Sequence, residues 1–134
     1  MKILFVCKHN RFRSKVAEAY FNKINKNKKI KAASAGIFSG FPALKNVIKI
    51  NKKFGINIKK KSRGLDEREI YKVDLLIIVA NDVPASLFKG KVKEFIVWKV
   101  PDLTNQSDEK GIERISGLII KKVVKLVKKL EKAR

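Results

Sequence analysis

The sequence predicts a three-layer α/β/α sandwich around a four-stranded parallel sheet. Three observations carry this expectation. Lys2 to Val6 (KILFV) and Val73 to Ala80 (VDLLIIVA) are short, nearly continuous apolar runs, the pattern of strands covered on both faces. Segments with helical spacing of apolar residues alternate with the strands. The connections are short, as a β-α-β-α-β-α-β-α chain of parallel crossovers requires.

The elements follow in order. After the Lys2 to Val6 strand, a helix is expected from Ser14, with Val16, Ala19, Tyr20 and Ile24 on one face. Ile30 to Ser34 (IKAAS) reads as a second strand, ended by Ala35-Gly36. Pro42 should open a second helix, because a proline fits the first turn; Leu44, Val47, Ile48 and Ile50 point inward and Gly55 ends it. Residues 56 to 72 are polar and basic, with a short helix over Leu65 to Ile70. Val73 to Ala80 is the strongest strand, and Pro84 starts a brief helix beyond it. Val92 to Trp98 is the fourth strand, interrupted by Lys93 and Glu94, and Pro101 to Glu109 is a polar loop. Ile112, Ile115, Leu118, Ile119, Val123, Leu126, Val127 and Leu130 then mark a long amphipathic helix.

Composition narrows the function classes. A chain of 134 residues, 45% hydrophobic, is most simply one domain over residues 1–134, able to bury a core without disulfides or metal. One cysteine (Cys7) and one histidine (His9) exclude an internal disulfide, a cysteine-rich zinc site and a histidine metal cluster. A free cysteine suits a reducing compartment, so a cytoplasmic protein is expected. No run approaches the roughly 20 apolar residues that span a bilayer, and no secretory signal is visible. The net charge of +21 would attract anionic partners. Its lysines are spread along the chain among Asn and Ile, which reads as compositional bias more than as a binding stripe.

The chemistry concentrates in VCKHNRFRS, between the first strand and the first helix. Parallel sheets place ligands at the carboxyl ends of their strands, against helix N-termini. Successive N–H groups of Lys8, His9, Asn10, Arg11 and Phe12 can turn inward as an anion cup, with the positive end of the helix beneath. Cys7 at the floor of that cup would be held as a thiolate, hence a nucleophile. Arg13 can clamp two oxygens of a tetrahedral oxyanion in its planar fork. Asn10 suits a left-handed backbone, and Ser14 can place its hydroxyl on the sulfur. This is a phosphate-binding loop with a sulfur nucleophile inside it.

The pattern C-x-x-N-x-x-R-S (Cys7, Asn10, Arg13, Ser14), followed by Ala17-Glu18, resembles the signature of the low-molecular-weight protein-tyrosine phosphatases. It resembles equally the arsenate reductases that share their fold. Ser34-Ala35-Gly36, Gly55-Ile56 with Ser62-Arg63, and Asp74 to Ile78 match further family segments. Trp98 to Asp102 (WKVPD) lies where the family carries its general acid. The resemblance implies a phosphomonoester hydrolase that needs no metal or other cofactor. Cys7 would attack phosphorus, Arg13 would hold the equatorial oxygens, and Asp102 would protonate the leaving oxygen. Asp82, Asp108 and Glu109 are the other carboxylates near strand ends. Phe38 and Phe41 could wall the cleft and stack on a phosphotyrosine ring. The implied partners are phosphorylated proteins, acidic ones favoured by charge, or small aryl phosphates. Nucleic acid would be held only through non-specific charge, and no membrane is involved.

The departures are specific. His9 stands where the family has Gly, and could crowd the cup or stabilise the thiolate. Arg11 is expected at the mouth, and Phe12 in the core. Leu103 replaces the usual Pro after the acid, and no Tyr pair follows. Lys60 replaces a His that in some members ties to the loop's Asn and Ser. An internal thiol relay for arsenate reduction would need two more cysteines, so only a reductase borrowing an external thiol is compatible. A phosphatase-like scaffold that binds anions or nucleic acid without catalysis is the third class.

Overall fold

The computed structural model describes residues 1–133. Four parallel strands, β1 (Lys2–Cys7), β2 (Lys31–Gly36), β3 (Leu75–Val79) and β4 (Phe95–Trp98), form one sheet in the order β2-β1-β3-β4. The helices are α1 (Arg13–Ile24), α2 (Lys45–Lys53), α3 (Glu67–Ile70) and α4 (Glu109–Lys132). A single 3-10 turn, Ala85–Leu87, follows β3. Chain order reverses direction at β1, so the loop after β1 opens at the switch point of the sheet, where ligands collect.

The apolar runs explain the layers. Residues of β1 and β3 face the two sides of the sheet alternately, and Ile3 to Val6 and Leu76 to Val79 are fully buried. Ile3, Phe5, Leu75, Ile77 and Val79 pack with Val16, Phe21, Val47, Ile112, Ile119 and Val123 of α1, α2 and α4. Leu4, Val6, Leu76 and Ile78 face the other way, onto Ile70, Val73, Val83 and Phe88. Each large aliphatic or aromatic side chain so covered contributes about 1.5–3 kcal/mol. The two outer layers are unequal: one holds α1, α2 and α4, the other only α3 and the 3-10 turn.

Several boundaries differ from expectation. The second helix begins at Lys45, not at Pro42, because the Ala43 N–H donates to Lys60 O (2.8 Å) and Leu44 stays extended. Strand β2 runs through Ala35 and Gly36, since Val6 and Cys7 continue to pair with them. Strand β4 is confined to Phe95–Trp98; Lys93 turns outward to Asp74 (3.3 Å). Strand β3 begins at Leu75, because the Asp74 carboxylate is taken up by the Lys2 N–H (2.7 Å). The helix expected over Leu65 to Ile70 is the four-residue α3, capped by Asp66. On α1 the inward face includes Ala17 and Phe21, while Ala19, Tyr20 and Ile24 are only partly covered. Leu118 on α4 is exposed.

Candidate active site

Strand β1 delivers Cys7 to the carboxyl edge of the sheet, and α1 begins six residues later at Arg13. Between them the chain doubles back. Ile37 and Phe38 donate to the carbonyls of Cys7 (3.1 Å) and Lys8 (2.9 Å), tying the loop to the end of β2. Asn10 takes φ +55°, the left-handed region that Asn tolerates better than most residues. Gly36 lies directly beneath: a Cβ there would sit 2.6 Å from Asn10 N and from the His9 carbonyl carbon, so only glycine fits.

Phe12, at the N-cap position of α1, provides no side-chain cap. Among the described residues, none accepts from the backbone N–H groups of Lys8, His9, Asn10, Arg11 or Phe12. These donors lie between the end of β1 and the start of α1, where the positive end of the helix favours negative charge.

Behind the loop lies a buried polar chain. The Asn10 Oδ1 accepts from the Arg63 N–H (2.9 Å), which fixes the orientation of the amide. Its Nδ2 then donates to both Ser14 Oγ (2.7 Å) and Ser34 Oγ (2.9 Å). Ser34 passes its own hydrogen to Glu18 Oε1 (2.6 Å). Ser14 Oγ, with one lone pair engaged by Asn10, lies 2.9 Å from Cys7 Sγ and shares a hydrogen bond with it.

Arg13 is 2% exposed and its guanidinium is anchored on three sides. Nη1 donates to Val100 O (2.9 Å), Nη2 donates to Asp82 Oδ1 (3.0 Å), and Asp102 Oδ2 is 3.5 Å from Nη2. The two carboxylates offset the cost of burying the cation. Among the described residues Asp102 is otherwise held only by the N–H of its neighbour Leu103 (2.8 Å), and its side chain is 43% exposed. Asp108 is engaged elsewhere, capping α4 by accepting from the Gly111 N–H (3.0 Å).

One pocket brings Cys7, His9, Arg11, Arg13 and Asp102 together, with Gln106 and the apolar Phe12, Leu44 and Leu103. Phe12 also packs into the core, as expected. Phe38 and Phe41 stand outside that lining, exposed at 53% and 45%; both rings lie against His9, with centroids at 5.7 and 4.9 Å. Arg11 reaches the mouth but spends its Nε on Pro42 O (3.1 Å) and stacks on Phe41 (5.4 Å). Lys60 is exposed, and the support expected of a His in its place comes from Arg63 and Glu18.

Sequence reasoning treated Asp82 as one carboxylate among several, and it did not find Leu44, Gln106 or the roles of Ser34 and Glu18. The Asp82 signal was its place just past the strand that neighbours β1. Ser34 and Glu18 were visible only as matches to a pattern, since nothing in their spacing says that they touch.

A family model for low molecular weight phosphotyrosine protein phosphatase matches residues 2–134. A low molecular weight protein tyrosine phosphatase from T. tengcongensis is 30% identical, with 93% of this chain and 99% of that chain covered and a TM-score of 0.71. An arsenate reductase from Archaeoglobus fulgidus is 29% identical over 93% of this chain and 98% of that one, with a TM-score of 0.76. A protein tyrosine phosphatase from Entamoeba histolytica is 27% identical over 99% and 98%, with a TM-score of 0.81. No curated protein matches the sequence significantly. With a family match over nearly its full length and the family's fold around Cys7, the chain belongs to the low molecular weight phosphotyrosine protein phosphatase family.

Proposed function

We propose that the protein is a phosphomonoester hydrolase, a protein-tyrosine phosphatase working through a phosphocysteine on Cys7. The observation that carries this reading is the polar chain from Arg63 through Asn10 and Ser14, which ends on Cys7 Sγ beside a loop whose N–H groups meet no acceptor among the described residues. The substrate's phosphoryl group enters that cup. Its equatorial oxygens take the loop N–H groups and the guanidinium of Arg13, which lines the pocket. The Cys7 thiolate forms the S–P bond as the ester P–O bond breaks, and Asp102 gives its proton to the departing oxygen. A water molecule then attacks phosphorus, loses its proton to Asp102 and breaks the S–P bond. Inorganic phosphate leaves and the thiolate is restored, so the cycle balances without an outside reductant.

The strongly basic surface would steer acidic phosphopeptides toward the site, with faster association at low salt. The test is hydrolysis of para-nitrophenyl phosphate and of a phosphotyrosine peptide, with Cys7→Ser as control. Turnover that the control abolishes is expected; equal turnover in both proteins would sink the reading. The likeness to an arsenate reductase supports a second reading, in which Cys7 attacks arsenate and an external thiol completes the reduction. Thiol-dependent arsenite release with no phosphate ester hydrolysis would select it.

A further inference from the structure

Lys15 is a buried cation at the site that the phosphate chemistry above does not use. It is the second residue after Arg13 on α1, and it is 6% exposed. Long amines are rarely buried this far without a partner. Its Nζ donates to Lys61 O (2.6 Å).

That carbonyl belongs to a strap, residues 60–63, in which every residue holds part of the site. Lys60 O accepts from Ala43 N–H (2.8 Å), and Ser62 Oγ donates to Phe41 O. Arg63 donates its N–H to Asn10 Oδ1 and its Nε to Ser34 O (3.2 Å), while its carbonyl accepts from Gly36 N–H (2.8 Å). The strap therefore sets which way the Asn10 amide points, and that amide holds Ser14 Oγ beside Cys7 Sγ. Lys15 pins the strap two residues before Arg63.

We propose that Lys15 is a positioning residue for the nucleophile: its ammonium anchors the 60–63 strap that orients Asn10, and through it Ser14, against Cys7. This rests on the reading of Cys7 as the nucleophile. The surrounding charges are compatible with it. Burial holds the Lys15 amine below the ordinary lysine value, Glu18 and then Cys7 work against that loss, and Lys59 adds to it. Of the titratable and charged groups near the loop, His9 lies on it, Arg13, Lys15 and Glu18 on α1, Asp82 beyond β3 beside Arg13, and Asp102 across the pocket. The two carboxylates beyond the loop are matched to Arg13, which leaves Lys15 as the cation with a separate hold on the strap.

The test needs no turnover. Alkylation of Cys7 by iodoacetamide is followed by mass spectrometry from acid to alkaline pH in wild type, Lys15→Met, Lys15→Gln and Lys15→Arg, each checked for folding by circular dichroism. At pH 6, Lys15→Met should react about fivefold more slowly than wild type, because less of the sulfur is thiolate, and the rates should converge at alkaline pH. Lys15→Arg should stay near wild type. Lys15→Gln, a neutral donor, should lie between them and carries the test should the Met variant not fold. Superimposed profiles for wild type and the neutral variants would overturn the proposal. So would a slowing that persists at alkaline pH and that Arg does not correct, because that is general damage to the fold. A wild-type protein that hydrolyses no phosphate ester would sink the phosphatase reading and leave this result standing.

Discussion

Two helices begin at the ligand edge of the sheet, and they begin differently. At α4 the Asp108 carboxylate accepts from the Gly111 N–H, so the start of the helix carries its own anion. At α1 the cap position holds Phe12, the loop donors meet no protein acceptor among the described residues, and a buried sulfur sits among them. An aspartate at a helix start stabilises by about 1 kcal/mol. Leaving α1 without one forgoes that stabilisation; under the proposed function, its positive end takes the substrate's phosphoryl group instead. On that reading the same backbone feature serves stability in one place and a ligand in another.

The comparison can be broken most severely at Arg13. Its guanidinium spans Val100 O and Asp82 while facing the pocket, which a single ammonium cannot do. Arg13→Lys should lower kcat/KM for aryl phosphates by about a thousandfold, read in steady-state kinetics, with the fold retained. Asp102→Asn comes next. It should slow phenyl phosphate by about a hundredfold and para-nitrophenyl phosphate much less, since the better leaving group needs less protonation.

Gly36→Ala sharpens the comparison by pushing a methyl into the backbone of His9 and Asn10. It should cost about 1–3 kcal/mol in denaturant unfolding and reduce activity as the cup distorts. Asp108→Ala should cost about 1 kcal/mol while leaving kcat nearly unchanged, because that carboxylate serves only its own helix. The smallest effect is expected at Asp74. The Lys2 N–H, and then Lys93, hold its carboxyl below the usual carboxylate range. A depressed folded value means stability present above the unfolded value and lost as pH falls through the folded one. Asp74→Asn should therefore flatten the acid limb of the melting temperature against pH.

The parts of the molecule that follow from local pattern were legible in advance. Continuous apolar runs located β1 and β3, and the spacing of Ile112 to Leu130 located α4. The loop from Cys7 to Ser14 declared itself by packing a thiol, a guanidinium and a left-handed Asn into eight residues. What stayed hidden depends on contacts far apart in sequence. Pro42 suggested a helix start, but the pairing of Ala43 with Lys60 keeps that stretch extended. Asp82 looked no different from other acidic residues until β3 placed it beside Arg13. Phe38 and Phe41 do not wall the pocket themselves: Phe38 touches its lining through His9, and Phe41 through His9 and Arg11. No periodicity reports that Arg63 turns its N–H onto Asn10, because a backbone donor leaves no mark on residue identity.

The central claim is that Cys7 carries the phosphoryl group, and acid quenching of a brief reaction with an aryl phosphate tests it most directly. Mass spectrometry of the digested protein should find one phosphoryl group on the peptide that contains Cys7, formed in a burst with the released phenol. A burst with no adduct on that peptide, or turnover undiminished in Cys7→Ser, would contradict the account.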